Sequence, residues 1–173
     1  MLRDLIEKRQ SCRSYDSERE VPIELIRECL EDARLSPSAC NSQPWEFTIC
    51  TGEKAKKIPD TLQLAGQNKF CYDVNSFIVV SEGPFKVPSV ISTVAKKQDY
   101  QSIDIGIATA YLTLSATEKG LSTCIIGLFE EEKLQEIISS TANIRLVIAL
   151  GYAKSDDIIR DKRRKAFDVI VKE

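Results

Sequence analysis

The hydrophobic positions along the chain predict helices and strands in alternation. Apolar residues at helical spacing predict helices over residues 1–9, from Pro22 to about residue 34, and over 103–119 and 130–140. Short apolar runs bounded by turn signals are typical of strands. Such runs occupy residues 46–51, 77–80, 123–126, 145–152 and 167–172. Strands alternating with helices, without repeats or linkers, predict an α+β arrangement in which helices cover a central sheet.

The helix predicted over residues 103–119 is unusual because neither of its sides is polar. One face carries Ile103, Ile107, Ala110, Tyr111 and Leu114. The other carries small or weakly polar residues, which are Gly106, Ala108, Thr109, Thr113 and Ala116. A helix that is apolar or small all round is buried all round. We therefore expect this helix to pack against a partner subunit as well as against its own sheet.

Composition limits the kinds of protein this can be. The chain has 173 residues, 43% hydrophobic and 29% charged, which fits one domain over residues 1–173 with a sizeable core. A net charge of −2 and a pI of about 5.4 give no general attraction to nucleic acid or to an anionic membrane. No apolar run of about 18 residues occurs, and the first 13 residues are too charged for a signal peptide. We expect a cytoplasmic protein.

Cysteine and histidine usage exclude several kinds of active site. The chain has six cysteines, none in a CxxC pair, so zinc and iron–sulfur centres are not expected. It has no histidine, which excludes Ser-His and Cys-His nucleophile pairs and His-based metal sites. An enzyme with this composition would take its chemistry from another residue type or from a cofactor, and we assign no metal.

Residues 36–45, between a helix and a strand, form the most informative turn. Two prolines and several small or amide residues forbid helix there, and the turn ends at the only tryptophan, Trp45. The residues alone leave open an ordinary connection with a core tryptophan. Their order resembles the signature turn of the FMN-dependent nitroreductase family, which lies against the flavin and its ribityl chain. The resemblance rests on Pro37, Ser38, Asn41, Gln43, Pro44 and Trp45, followed by Phe47.

Two basic motifs resemble the phosphate contacts of that family. Arg9, Ser11 and Arg13 alternate, so an extended segment would point them the same way and suit a phosphate dianion. The alternative is a solvated basic surface. The motif resembles the family's N-terminal phosphate clamp, with Gln10 where the family often has Arg or His. Lys162 and Arg164, in a basic cluster that alone would be a charged loop, resemble its second phosphate contact.

A third resemblance concerns the strand that ends at Ile126 and Gly127. Glycine there lets the backbone approach a ligand closely. The segment resembles the family's second flavin loop, in which a backbone N–H faces flavin N5. Asp104 and Gly106 resemble positions of its central helix, and Lys119-Gly120 the turn after it.

The resemblance implies a fold, a cofactor and an assembly. The fold would be a nitroreductase-like three-layer one, with a central mainly antiparallel sheet between helices and a C-terminal strand, 167–172, exchanged in a homodimer. Non-covalent FMN would lie at the subunit interface, with NAD(P)H as a transient donor and a nitroaromatic, quinone or similar small molecule as acceptor. The implied cofactor-binding residues are Arg9, Gln10, Ser11, Arg13, Pro37, Ser38, Ala39, Asn41, Gln43, Ile126, Gly127, Lys162 and Arg164.

Other interpretations remain open at this point. The flavin would carry the chemistry, so no protein acid or base is assigned; Cys40 stands at a position that varies in the family. The same fold could support flavin destruction or reductive dehalogenation. A flavin-binding or interaction protein without turnover is the third possibility, since so short a chain has little material for a substrate lid. Phe85, Lys86 and Tyr100 could line a substrate mouth or be plain surface.

Overall fold

A four-stranded antiparallel sheet organises the computed structural model, which describes residues 1–86, 88 and 98–173. The strands are Trp45–Thr51 (β1), Ser76–Glu82 (β2), Ser122–Ile126 (β3) and Ile144–Gly151 (β4). Their spatial order is β1-β2-β4-β3, so β2 and β4 are central and β1 and β3 are the edges. Each of the four agrees with a strand predicted from the sequence to within about two residues at either end.

Helices cover both faces of this sheet. The α-helices of the described residues are Leu2–Lys8, Ile23–Arg34, Gly52–Ala55, Ile58–Thr61, Tyr100–Glu118, Glu131–Ile138 and Phe167–Ile170. Short 3₁₀ turns occupy Ala39–Asn41, Leu64–Gly66 and Lys69–Asp73. The sequence also predicts a loop and then a weakly helical segment between Gly83 and Tyr100, but most of that segment falls on residues 87 and 89–97, outside the described residues.

The central strands are buried on both sides, which makes the molecule three layers thick. In β2, Phe77 and Val79 join one core cluster, whereas Ile78 and Val80 join the other. Successive side chains of a strand point to opposite faces, so each cluster lies on its own side of the sheet. The helices Gly52–Ala55, Ile58–Thr61 and Glu131–Ile138 cover the first cluster. The helices Ile23–Arg34 and Tyr100–Glu118 cover the second. The predicted three-layer α+β fold is thus confirmed.

Tyr100–Glu118, hereafter the long helix, begins and ends at clear signals. The Asp99 carboxylate accepts a hydrogen bond from the Ser102 N–H, which caps the first turn. At the other end Gly120 takes a φ of +75°, and the Leu121 N–H donates to the Ala116 carbonyl at 2.8 Å. Glycine adopts this left-handed conformation without steric cost, so the predicted stop after Lys119 is confirmed.

Within the single chain the long helix is buried on one face only, so the expected burial of its other side against a partner subunit stays a prediction. Ala108, Leu112 and Ala116 lie in the core. The opposite face, which includes Ala110, is open, and Ile103 and Tyr111 there are 48% and 43% exposed. The face is apolar and uncovered within one chain, because all the burial that the chain itself supplies falls on the small-residue side.

The C-terminal run differs from its prediction. Residues 167–172 were expected to form a strand, but Phe167–Ile170 is a single helical turn with Phe167 72% exposed. A strand requires backbone partners on a neighbouring strand, and none of the described residues supplies them here. The Val169 and Val171 N–H groups instead bond locally, to the carbonyls of Ala166 and Phe167.

Both ends of the chain run along the β3 edge. Ser11 forms a parallel bridge with Thr123, and the Cys12 N–H donates to the Thr123 carbonyl at 2.9 Å. Tyr15 forms an antiparallel bridge with Ala153 on the other side of this N-terminal segment. We call residues 152–164 the C-terminal strap, because they lie along the N-terminal segment and bring the two basic motifs of the sequence to one place.

The helices can be compared with the length and hydropathy of a membrane span. Within the described ranges, no helix combines the length and the apolar character that crossing a bilayer requires.

Candidate functional site

Cations from both ends of the chain meet beside β3. The Lys162 ammonium donates to the Arg9 carbonyl at 2.5 Å, which fixes the C-terminal strap against the N-terminal motif. Burial lowers the pKa of Lys162, and the nearby charges of Arg9, Arg164 and Arg160 lower it further. Burial raises the pKa of the Cys124 thiol on β3, and the charges of Arg13, Arg160 and Arg9 oppose that rise. The members of this cation cluster are Arg9, Arg13, Arg160, Lys162 and Arg164.

Most of the cluster lacks a carboxylate partner. Arg160 pairs with Asp157 at 3.3 Å. No ion pair to Arg9, Arg13, Lys162 or Arg164 is formed by a carboxylate of the described residues. Positive charges gathered in this way repel one another, which agrees with the lowered pKa of Lys162, and the nearby Glu7 carboxylate opposes that lowering only in part. An anion bound among them would relieve that repulsion.

An apolar groove of about 550 Å³ adjoins three members of the cluster. Arg9, Lys162 and Arg164 stand on its rim with Arg3 and Glu7. Its walls come from the first helix, the long helix and the β3–β4 edge; they are Ile6, Gly106, Thr109, Ala110, Thr113, Leu114, Ile125 and Leu146. A concave apolar site with a few convergent polar groups is the usual form of a small-molecule site. This one suits a flat apolar ligand that carries an anionic group.

The remaining residues of the N-terminal motif are placed differently from Arg9. The Gln10 side chain bonds to the C-terminal strap and so has other partners than a phosphate in this structure. The Ser11 carbonyl accepts from Arg160 at 2.8 Å and from Arg13 at 3.5 Å. Arg13 is exposed and does not line the groove. The structure therefore brings Arg9, Lys162 and Arg164 together, with Ser11 and Arg13 beside them.

The 36–45 turn is held mainly by its own hydrogen bonds. The Ser38 hydroxyl accepts from the Gln43 N–H at 2.9 Å, and the Ser38 carbonyl accepts from the Asn41 N–H at 3.0 Å. Cys40, Asn41 and Gln43 take φ values of +52°, +52° and +49°, a region that non-glycine residues seldom adopt. Strain of this kind persists where the surrounding contacts determine the conformation and is frequent at ligand sites. The Asn41 side-chain amide makes no hydrogen bond to another described residue.

A buried carboxylate on the long helix anchors this turn. Asp104 is only 3% exposed, and its Oδ2 accepts the Ala39 N–H at 3.0 Å. Residues of an α-helix are rotated by about 100° each, so Gly106, on the groove wall, lies about 160° around the helix from Asp104. The turn and the groove of one chain therefore lie on opposite sides of the long helix. Pro37, Ser38, Ala39, Asn41 and Gln43 do not line the groove.

The end of β3 leaves room for a ligand. Ile126 is buried in the core, whereas Gly127, directly after it, is exposed. A Cβ added to Gly127 would meet no atom within 4 Å. The chain itself therefore does not require glycine at this position, and the close approach of a ligand to this backbone stays a prediction.

Other candidates from the sequence have structural roles or none that the structure defines. Trp45 packs in the core beneath the turn, as the ordinary interpretation of that residue predicted. Cys40 is exposed on the turn. Phe85 and Tyr100 stack at 6.5 Å between ring centroids, and the Lys86 N–H donates to the Ser42 hydroxyl beside the turn. Among the described residues, no group of three or more Cys, Asp or Glu side chains is arranged to hold a metal ion.

Sequence reasoning missed three residues. Asp104 was noted only as part of a resemblance, because nothing local shows that a helix residue caps a turn 65 positions earlier. Arg160 and Asp157 went unnoticed beside the denser basic run that follows them. Their spacing of three residues was the available signal, since it is compatible with a local ion pair.

The sequence resembles known proteins over most of its length. Residues 6–152 match the sequence profile described as the Nitroreductase family. An oxygen-insensitive NADPH nitroreductase of Helicobacter acinonychis (strain Sheeba) is 27% identical over 86% of this chain and 86% of its own length. An iodotyrosine dehalogenase 1 homolog of Caenorhabditis elegans is also 27% identical, over 95% of this chain and 58% of its own.

The fold has close counterparts among solved structures. A protein of Exiguobacterium sibiricum 255-15, solved in complex with FMN, superposes with a TM-score of 0.84 over 100% of this chain and 97% of its own, at 20% identity. At that identity the likeness establishes the fold alone. The profile match, however, covers most of the chain and both the turn and the long helix. With its three-layer fold and its profile match over residues 6–152, the chain belongs to the nitroreductase family.

Proposed function

We propose that this protein is an FMN-dependent oxidoreductase that takes hydride from NAD(P)H and reduces small nitroaromatic, quinone or similar acceptors. The observation that carries the proposal is a set of three cations without carboxylate partners, Arg9, Lys162 and Arg164, on the rim of an apolar groove in a chain of the nitroreductase family. The relatives named as NADPH nitroreductases and the FMN-bound structural neighbour support the same cofactors.

The residues present fit FMN. Its phosphate is a dianion, and guanidinium and ammonium groups bind phosphate through charge-assisted hydrogen bonds. Arg9, Lys162 and Arg164 stand where such an anion would meet the groove. A volume of about 550 Å³ is within the range of small-molecule sites, and its apolar walls suit a flat ring system. FMN is favoured over FAD because no glycine-rich pyrophosphate loop occurs in the sequence.

FMN held in this site would supply the redox chemistry, which is hydride transfer from the nicotinamide and electron transfer to the acceptor. The protein's part is to bind and orient. The cluster holds the phosphate end, and the exposed backbone at Gly127 offers an N–H to the ring. Apolar walls such as Ile125 and Leu146 exclude water from the ring face. No protein acid or base is required for this division of labour.

The complete site belongs to two chains in this proposal. The exposed apolar face of the long helix, which includes Ile103, Ala110 and Tyr111, is continuous with the groove wall through Ala110. A second copy packed there would cover both. The turn then reaches the partner's cofactor, because within one chain it lies on the far side of the long helix from the groove. The resulting homodimer would bury the large apolar area that an obligate interface requires.

The sheet edge supports the exchange of a C-terminal strand in that dimer. Thr123 of β3 points its carbonyl outward to the N-terminal segment. Alternate residues of an edge strand point the same way, so Ile125 presents its backbone groups to the same side. No backbone bond of Ile125 on that side is made by the described residues. In this account the apolar run 167–172, a helical turn in the single chain, becomes a strand on a partner's edge.

Two measurements on the purified protein test the proposal. Heat-released flavin should migrate with an FMN standard and not with FAD. With menadione or a nitrofuran as acceptor, the protein should oxidise NAD(P)H faster than buffer alone does. An Arg9→Ala/Arg164→Ala double variant should lose both its flavin and this activity. A protein that binds no flavin after reconstitution contradicts the cofactor assignment. One that binds FMN but never oxidises NAD(P)H is a flavin-binding protein without turnover.

Reductive dehalogenation is the second candidate. It is favoured by the similarity to the iodotyrosine dehalogenase homolog, which covers 95% of this chain. Both reactions start from reduced flavin, so the acceptor distinguishes them. Iodide release from iodotyrosine by the reduced protein, at a rate exceeding that of menadione reduction, would favour dehalogenation. Menadione or nitrofuran reduction without iodide release would favour the first proposal.

A further inference from the structure

A carboxylate in the C-terminal strap is nearly buried although the strap lies on the surface. The Asp157 side chain is 8% exposed, whereas its neighbour Asp156 is exposed. Asp157 Oδ2 accepts from Gln10 Nε2 at 3.3 Å, and Oδ1 accepts from an Arg160 amino group at 3.3 Å. The buried Cys12 thiol donates to the same Oδ2 at 3.5 Å. Asp157 thus joins the N-terminal segment to the strap.

Gln10 uses both ends of its amide for this junction. Its Nε2 donates to Asp157 and, at 3.1 Å, to the Ile158 carbonyl. Its Oε1 accepts the Arg160 N–H at 3.1 Å. An amide with both its oxygen and its nitrogen bonded to the strap is placed to hold that segment rather than to contact a ligand.

Arg160 is held on two sides. Its guanidinium pairs with Asp157 and donates to the Ser11 carbonyl at 2.8 Å. Two residues later Lys162 donates to the Arg9 carbonyl. The strap therefore places its cations against the N-terminal motif over a sequence separation of about 150 residues, immediately after the Gln10–Asp157 contact.

This arrangement needs an attractive contact, because the cations alone would separate. Like charges within a few ångströms repel, and the surface strap has few apolar contacts to oppose them. Ile158 and Ile159 in it are 75% and 56% exposed. Hydrogen bonds that involve an ionised group are stronger than neutral ones, so the Asp157 carboxylate is suited to supply that attraction.

We propose that Gln10, Asp157 and Arg160 form a latch that positions Lys162 and Arg164 beside Arg9, so that the phosphate site is assembled before the ligand arrives. Asp157 is a positioning residue in this proposal and does not touch the phosphate. The inference rests on the proposed function for its ligand, FMN, although the latch itself is a property of the chain alone.

The sign of one binding effect separates positioning from plain electrostatics. Removing a carboxylate from the neighbourhood of an anion site ordinarily tightens anion binding, because a repulsive charge is lost. If Asp157 positions the cations, its removal weakens binding instead. Asp157→Asn keeps the side-chain shape while it removes the charge, and Asp156→Asn is the matched control one residue away.

The first experiment titrates FMN into the cofactor-free protein and follows flavin fluorescence. We expect Asp157→Asn to weaken binding roughly tenfold, as for the loss of one charge-assisted hydrogen bond, and Asp156→Asn to leave it unchanged. Lys162→Met should remove most of the Asp157 effect in the double variant, since coupled residues are not additive. Unchanged or tighter binding by Asp157→Asn would overturn the latch.

The second experiment needs no flavin. Hydrogen exchange of the cofactor-free protein, read by mass spectrometry on peptides covering residues 157–165, should be faster in Asp157→Asn than in the wild type and in Asp156→Asn. Wild-type exchange in the variant would also overturn the latch.

These arms keep the two proposals apart. If the wild type binds no FMN, the proposed function fails while the exchange experiment still decides the latch. If the wild type binds FMN and Asp157→Asn behaves like it, the latch fails alone. Should Asp157→Asn not fold, Gln10→Ala replaces it in both experiments with the same expected results, because it removes the other half of the junction.

Discussion

The cation cluster and the 36–45 turn, the two halves of the proposed site, are held in place by different kinds of contact. The cluster joins residues about 150 positions apart, and its contacts run between the two ends of the chain. The turn is held by bonds between neighbours, such as Ser38 to Gln43, and by one distant anchor, Asp104. One region is thus built from long-range contacts among like charges and the other from local contacts among neutral groups.

The difference explains where each region can fail. A locally bonded turn keeps its shape as long as its own residues and its anchor remain. A cluster of cations depends on every contact that opposes repulsion, and a change far along the chain can disperse it. The regions also lie on opposite sides of the long helix in one chain, so they can serve one ligand only through a second copy.

The largest expected effect comes from breaking the surface that would join the two regions. Ala110→Glu places a charge on the exposed apolar face and should abolish dimer and flavin together, because an unpaired charge is costly to bury. Sedimentation velocity with detection of both the protein and the flavin absorbance should show a monomer without flavin. The circular dichroism spectrum of the variant should remain native. Ala65→Glu, on an exposed turn outside the groove, is the control. A variant dimer that keeps its flavin would contradict this interface.

The same test at Ala108, which the sequence suggests, would be misleading. The sequence makes Ala108, on the small-residue face, a natural choice for a partner contact, yet Ala108 is fully buried against its own chain. Ala108→Glu should therefore unfold the subunit rather than dissociate a dimer.

The next effect concerns the cluster alone. Arg9→Ala and Arg164→Ala should each weaken FMN binding by about 2 kcal/mol, or roughly thirtyfold, through loss of a charge-assisted phosphate contact. Thermal unfolding of the cofactor-free protein should change little, since neither residue is in the core. Lys165→Ala, an exposed neighbouring cation off the groove, should match the wild type. Flavin occupancy equal to that of the wild type in all three variants, at sub-saturating FMN, would mean that the phosphate binds elsewhere.

A smaller effect is expected at the anchor of the turn. Asp104→Ala removes the acceptor of the Ala39 N–H and should weaken FMN binding by about 1 kcal/mol, the usual worth of one hydrogen bond. Combined with Arg9→Ala the two losses should nearly add, because no hydrogen bond joins the two residues and they act on the same FMN from separate regions. Titration calorimetry with FMN on the wild type, the two single variants and the double variant measures the three losses in binding free energy. A coupling above about 0.5 kcal/mol would show that the turn and the cluster are not separate regions.

The smallest effect is a pH dependence that belongs to the cluster. The pKa of Lys162 is lowered by burial and by neighbouring cations, so this lysine loses its charge at a lower pH than an ordinary lysine. The contribution of Lys162 to FMN affinity should therefore be fully present below that pKa and be lost as pH rises through it. Lys162→Met should bind FMN more weakly and lack this component of the pH dependence. Identical pH profiles for both proteins would remove Lys162 from the phosphate site.

Much of this fold could be predicted from the sequence because the relevant information is local. Alternating apolar runs placed four strands, and Lys119-Gly120 placed the end of the long helix. The turn was recognised from the order of its residues, since its conformation depends on neighbours such as Ser38 and Gln43.

The sequence and the single chain differ where a residue's surroundings come from elsewhere. Residues 167–172 have the pattern of a strand, but a strand needs a neighbour that one chain does not give them. Gln10 resembles a phosphate contact, but its amide is bonded to the strap in this structure. The pattern of the long helix predicted burial on every side, although only the partner that we propose would cover its second face.

The central claim is that one FMN is held by the cation cluster of one chain and the turn of another, and mixed dimers test it directly. An Arg9→Ala/Arg164→Ala chain and a Ser38→Ala/Asn41→Ala chain, carrying different tags, are co-expressed and the heterodimer is isolated through both tags. Flavin content is then compared with the wild type and with each parent at a fixed sub-saturating FMN concentration.

In the heterodimer one site combines both defects and the other combines the intact cluster of one chain with the intact turn of its partner. The account predicts that the heterodimer holds half as much flavin as the wild type, although neither parent homodimer holds appreciable flavin. If a single chain provided both regions, every site in the heterodimer would carry one defect. A heterodimer as poor in flavin as its parents would contradict the account.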